Sequence, residues 1–303
     1  MKIISSIFVV VLFSVSISAN MRAPQFHYSH ASYAVSRSSE GLTVKKEDLS
    51  FECPAFQNLT ENSDFMNAAC DVNAVYELEA EKAGTYRFEF ILPSDLETSV
   101  SMNGEASMKI KPLIIKKLNE SEKEIYRAHP EMCSGPCSEK SDTALYRVSF
   151  SGTLKKGLNR ISAGYRQILS HRETKYGYAS SSKWASGLSY ELWPLKEWKL
   201  ASDFQMNVRF TVPSPGFFSS AGTVCTGEDL NFQKYPFSIL KKEYSKSETG
   251  TSGMPERTKP NHFYSLKEKR KISEKDGKIL YEVSFGNSFP DRISCSYGHT
   301  KEH

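Results

Sequence analysis

From residue 42 onward, apolar and polar positions alternate in short runs. Leu49, Phe51 and Cys53 share one parity, and Cys70, Val72, Ala74, Tyr76 and Leu78 share another. Tyr86, Phe88, Phe90 and Leu92 follow on one side, with Arg87 and Glu89 on the other. Period-two alternation marks strands with one buried and one wet face. The same pattern returns in Tyr146, Val148 and Phe150, then in Ile161, Ala163 and Tyr165, with a Lys-Lys-Gly turn between them that predicts a hairpin. It returns again in Phe204, Met206, Val208, Phe210 and Val212. A Lys-Asp-Gly turn near 275–277 predicts a second hairpin, and Ile293, Cys295 and Tyr297 close the chain on one face.

Three stretches break the alternation. Residues 20–41 are rich in Ser, Tyr and His and read as an extended lead-in. Residues 107–142 are rich in Lys and Glu and read as an insertion, or a connection crossing between strands. Residues 169–187 are polar, Ser-rich and aromatic and read as a linker or long loop. Many short strands with polar turns predict an all-β protein. The expected architecture is two tandem antiparallel β-sandwich domains, 42–168 with the insertion and 188–303; one large β-sandwich is the alternative.

The first 19 residues change the picture of where such a protein works. Lys2 precedes a run from Ile3 to Ile17 that is almost wholly apolar or Ser, and Ser16, Ser18 and Ala19 are small residues suited to cleavage. This is the pattern of a secretory signal peptide, shorter than a membrane span of roughly 20 residues. The expectation is an exported protein, secreted, periplasmic or at the cell surface, with no transmembrane segment after cleavage. Six Cys then become disulfide candidates in an oxidising compartment: Cys53, Cys70, Cys133, Cys137, Cys225 and Cys295. Strand parity favours Cys53 with Cys70 across a short loop, and Cys225 and Cys295 are the only Cys in the second half. Cys133 and Cys137 are left as a local pair, with a reach back to Cys53 and Cys70 as the other arrangement.

Charge is local. The formal net charge is +4, while residues 240–278 carry eleven Lys or Arg against six Asp or Glu. The basic run Lys267, Lys269, Arg270 and Lys271 suits an anionic partner, and Lys also protects the edge strands of sheets. The segment KIKPLIIKK (109–117) has the same two readings. In 169–187, His171, Arg172, Tyr176, Tyr178, Lys183 and Trp184 mix rings with positive charge, as ligand-contacting loops do. The partners expected are a glycan, an anionic polymer or a surface protein; export argues against nucleic acid.

Chemistry-bearing motifs are few. His129, Met132, Cys133 and Cys137 form a soft-metal donor set, but Pro130, Gly135 and Pro136 forbid a helical ligand face and export favours bonded sulfurs. The sequence contains no G-x-S-x-G, H-E-x-x-H, G-x-G-x-x-G, Walker or EF-hand pattern. No catalytic residue and no cofactor is therefore expected. The function expected is a binding or surface-interaction module. An exported hydrolase, or a metal-handling protein using the Cys133/Cys137 loop, is the alternative.

The order SFSGTLKKGLNRISAGYRQ (149–167), then SYELWPLKEWKLASDFQMNVRFTVP (189–213), resembles secreted bacterial β-sandwich proteins of uncharacterised families. They share a strand pair around a Lys-Gly turn and a following Y-x-L-x-P…W segment. The resemblance spans roughly 42–213 and implies a β-sandwich and export. It implies no catalytic residue.

Overall fold

The computed structural model describes residues 26–27, 33–36, 41–54, 68–92, 97–117, 144–175, 183–214, 222–229, 262–266 and 270–298. Within them the chain forms β1 (Phe26–His27), β2 (Tyr33–Ser36), β3 (Leu42–Glu52), β4 (Ala69–Ala80), β5 (Gly84–Leu92), β6 (Thr98–Met102), β7 (Met108–Ile110), β8 (Leu113–Lys117) and β9 (Ala144–Leu154). There follow β10 (Gly157–Ile168), β11 (Ser170–Lys175), β12 (Lys183–Glu191), a 3-10 helix (Trp193–Glu197), β13 (Leu200–Pro213), β14 (Gly222–Asp229), β15 (His262–Ser265), β16 (Arg270–Lys275), β17 (Lys278–Phe285) and β18 (Arg292–Gly298). The all-β sandwich expected from alternation is what forms.

The strands make three sheets. One has eight strands in the order β16-β17-β13-β3-β4-β10-β6-β7, one has six in the order β1-β11-β12-β18-β14-β15, and one has four in the order β2-β5-β9-β8. Pairing is antiparallel except between β3 and β13, which run parallel with Leu49 opposite Val208 and Phe51 opposite Phe210. Ring contacts tie the eight-stranded sheet to both of the others. Phe51 meets Tyr190 and Phe210 meets Tyr297 toward the six-stranded sheet, and Tyr76 meets Phe90 toward the four-stranded one. Gly152 in β9 lacks the side chain that would collide with Met102 of β6, so the sheets close tightly there.

This topology corrects the tandem arrangement. Strands from either side of 169–187 share the eight-stranded sheet, and one apolar core runs from Leu42 to Tyr297. The stretch 169–187 is not a linker in its described parts: Ser170–Lys175 and Lys183–Glu191 are paired strands, and Gln167 donates from β10 to the Ser189 carbonyl in β12. The hairpin read at 155–157 is also absent. β9 lies in the four-stranded sheet and β10 in the eight-stranded one, so the turn carries the chain between layers, with Gly157 at φ 92°. The later hairpin does form, with Asp276 and Gly277 both at positive φ between β16 and β17. The lead-in supplies β1 and β2 at two sheet edges, and the 107–142 stretch supplies β7 and β8 in different sheets. Residues 1–19, read above as a signal peptide, lie outside the described residues.

Candidate functional site

Glu47 sits where β3 slips its register. Leu42 and Val44 face inward on even positions; Lys45 and Lys46 then both face out, and Glu47, Leu49 and Phe51 face inward on odd ones. A bulge between Val44 and Lys46 causes the switch and turns a carboxylate into the core. Glu47 is 1% exposed; neither of its carboxylate oxygens makes a hydrogen bond of regular geometry, and the hydroxyl that acts on them is that of Tyr76. Its cross-strand neighbour is Tyr76, whose hydroxyl lies 3.0 Å from that of Tyr190 on the facing sheet. Loss of water pushes the Glu47 carboxyl up to about 7; the Tyr76 hydroxyl pulls it back in part, and Asp48 adds to the rise. Burial also pushes both phenols upward, so they remain neutral donors. Glu47, Tyr76, Tyr190, Glu191, Leu192, Leu195 and Trp198 line a hollow with space for about one water molecule.

A second group of charges abuts this hollow. Register places Arg292 of β18 between Glu191 of β12 and Glu228 of β14, in one row across three strands. Arg292 Nε donates to Glu191 Oε1 at 2.7 Å, and Arg292 Nη1 donates to Glu228 Oε2 at 3.2 Å. All three side chains are buried. Burial raises the Glu191 carboxyl to about 7; Arg292 opposes the rise, while Glu228 and Asp291 reinforce it. Asp291 is itself held by Lys196 at 2.6 Å, on the 3-10 helix that follows β12. Two carboxyls poised near neutrality beside neutral phenols can hold and exchange protons. The hollow is too small to admit an organic substrate.

The disulfide candidates divide cleanly. Cys53 bonds Cys70, and Cys225 bonds Cys295. The second pair lies opposite in the β14–β18 register, tying the strands that carry Glu228 and Arg292. Cys133 and Cys137, with His129 and Met132, lie outside the described residues. No group of three or more His, Cys, Asp or Glu side chains suited to a metal ion occurs among the described residues.

The described ligand-contact candidates are divided between buried and exposed positions. His171 is buried, with Nδ1 2.8 Å from Ser186 Oγ, and Trp184 is buried in β12. Both are packing residues, because cross-strand pairing in the six-stranded sheet draws them inside. Arg172 is half-buried on β11, and Lys183 begins β12. Arg270 begins β16, an edge strand of the eight-stranded sheet, where Lys271 is exposed. Tyr176, Tyr178, Lys267 and Lys269 lie outside the described residues. Glu89, expected on a wet face, is fully buried; it accepts from Ser149 Oγ at 3.1 Å and lies 3.4 Å from Arg87.

Sequence reading missed Glu47, Glu191, Glu228 and Arg292. A signal was present for Glu47, an acidic residue between Val44 and Leu49 where the parity of apolar positions changes. It missed the surface strip at 108–114 only in part. Met108, Leu113 and Ile114 are 42%, 71% and 55% exposed, and they are three of the five exposed large hydrophobic residues among the described ones.

No helix among the described residues is long and apolar enough to cross a membrane. No family model matches the chain, and no curated protein matches it. Among solved structures, it is similar to a Legionella pneumophila protein provisionally described as nutrient-binding, at 12% identity and a TM-score of 0.45, over 90% of this chain and 72% of that one. It is also similar to an M1 zinc metallopeptidase from Deinococcus radiodurans, at 12% identity and a TM-score of 0.31, over 85% of this chain and 42% of that one. Both are distant neighbours whose scores carry no functional meaning for this chain.

Proposed function

We propose that the chain is an exported β-sandwich that works by binding through its surface. The observation that carries this reading is a contrast in exposure. The poised carboxyls line a hollow with room for about one water molecule, whereas Met108, Leu113 and Ile114, all within residues 108–114, are exposed to solvent. Clustered exposed apolar side chains mark interaction sites, while an active site must admit its substrate. The leader-like first 19 residues and the two disulfides support an oxidising, extracytoplasmic setting. Lys271 and Arg172 are further contacts on this reading.

Fractionation of cells expressing the full chain tests it. The expected result is protein in the extracytoplasmic fraction, with Cys53–Cys70 and Cys225–Cys295 found in a non-reducing peptide map, and part of it retained on envelope material. Cytosolic protein with free thiols overturns the reading. So does turnover of glycosides, esters or peptides that Glu47→Gln or Glu191→Gln abolishes.

A further inference from the structure

β7 and β8 end two different sheets, so each is paired on one side only. Lys111 and a buried Pro112 join them. The exposed side chains of this corner are of two kinds. Met108, Leu113 and Ile114 are aliphatic. Lys109 and Lys111 are cationic and exposed, and residues 108–117 contain four Lys and no acidic residue. Across the strand pair, Glu97 reaches Lys109 at 3.1 Å, but both ends of that pair are open to water and it is weak.

Three partners suit a basic strip, and the aliphatic residues separate them. An anionic glycan takes the lysines and leaves Leu113 and Ile114 in water. A protein strand adding to either edge would have to pair beside Lys109 of β7 or Lys116 and Lys117 of β8, and edge lysines are a usual device against strand addition. A bilayer bearing anionic headgroups takes both: aliphatic side chains enter the acyl boundary while lysines remain among the phosphates. We infer that the β7–β8 corner, through Met108, Lys109, Lys111, Leu113 and Ile114, docks this protein onto an anionic lipid surface. This rests on the binding reading above and names its partner.

Sedimentation of the exported, leader-free protein with vesicles tests it. Phosphatidylcholine vesicles are compared with vesicles containing 30 mol% phosphatidylglycerol. The expected result is binding to the anionic vesicles that weakens with salt. Leu113→Ser with Ile114→Ser should lower the partition coefficient at least tenfold, since each loses apolar burial. Lys109→Gln with Lys111→Gln should lower it on anionic vesicles by a similar factor, each Lys being worth about fivefold near such a surface. Because these side chains are exposed, both variants should melt where the parent does, which separates lost docking from lost folding. Equal binding to neutral and anionic vesicles overturns the inference, as does variant binding equal to the parent's. Envelope attachment that survives detergent, or that heparin alone competes away while vesicles bind nothing, overturns the lipid assignment and leaves the binding reading standing. No attachment to envelope or vesicle overturns both.

Discussion

Replacing Glu47 with Gln isolates the effect of one buried carboxyl. In the unfolded chain this group titrates near its ordinary value of 4.5; in the folded protein it titrates near 7. The folded state therefore holds the proton more tightly. Its stabilising effect is full below pH 4.5, declines as pH rises through 7, and levels off above about 8. A rise of this size corresponds to about 3 kcal/mol, at about 1.4 kcal/mol per pH unit. The wild-type protein should lose about that much stability between pH 5 and 8 from this residue, with Glu191 adding loss in the same window. Gln keeps the shape and cannot ionise, so the variant should lose markedly less.

Urea unfolding at 25 °C with disulfides intact, at pH values from 5 to 9, measures this directly. Near pH 5 the two proteins should differ by a small constant that reflects how the amide fits. Above pH 8 Glu47→Gln should gain about 3 kcal/mol relative to that offset, or roughly 6–12 °C in melting temperature at the scaling of large domains. The slope carries the information, because amide packing shifts the curve without tilting it. Parallel curves for the two proteins would falsify the assignment of Glu47 as a buried proton-binding group.

Three further outcomes follow from the geometry. Cys225→Ser with Cys295→Ser opens a loop of 70 residues, against 17 for Cys53 and Cys70; loop-closure entropy predicts losses of about 4 and about 3 kcal/mol respectively, read as urea midpoints. Arg292→Met strands Glu191 and Glu228 without their cation and should cost about 3–5 kcal/mol at pH 8. That loss should shrink at pH 5, and adding Glu191→Gln should recover part of it. Gly152→Ala places a methyl 2.0 Å from Met102 Sδ and should cost about 1–3 kcal/mol; Met102→Ala in the same chain should relieve the clash, seen as non-additivity in a double-mutant cycle.

Alternation made most strands legible because each reports its own two faces. It could not report which sheet a strand joins. The parallel pairing of β3 with β13 sets residue 49 opposite residue 208, and no local pattern encodes a contact of that range. The turn at 155–157 has hairpin chemistry, yet Gly157 swings the chain to the other layer, a choice made by packing of Leu154 and Ile161 into the shared core. Composition misled at 169–187 for a different reason. Ser170, Ser186, Ser189 and Ser294 are buried hydroxyls, and the Ser189 and Ser294 hydroxyls meet across β12 and β18 at 2.5 Å. Strands covered on both faces can be polar when neighbours answer each hydroxyl, so Ser-rich sequence looked like loop.

The charged interior shows why the site was harder to read than the fold. Glu191, Glu228 and Arg292 come together through strand register, and single positions far apart in sequence carry no mark of it. Their balance is uneven. One guanidinium serves two carboxylates, and Glu47 has none, while Asp291 has Lys196. Fully ionised, the group formed by Glu47, Glu191, Glu228 and Arg292 would bury a surplus of two negative charges in a medium that screens them weakly. Holding Glu47 and Glu191 near 7 lets protons remove that surplus. Protonation of Glu47 and Glu191 is therefore linked to the stability of the sandwich. Acid should tighten the packing of the six-stranded sheet on the eight-stranded one before it unfolds either.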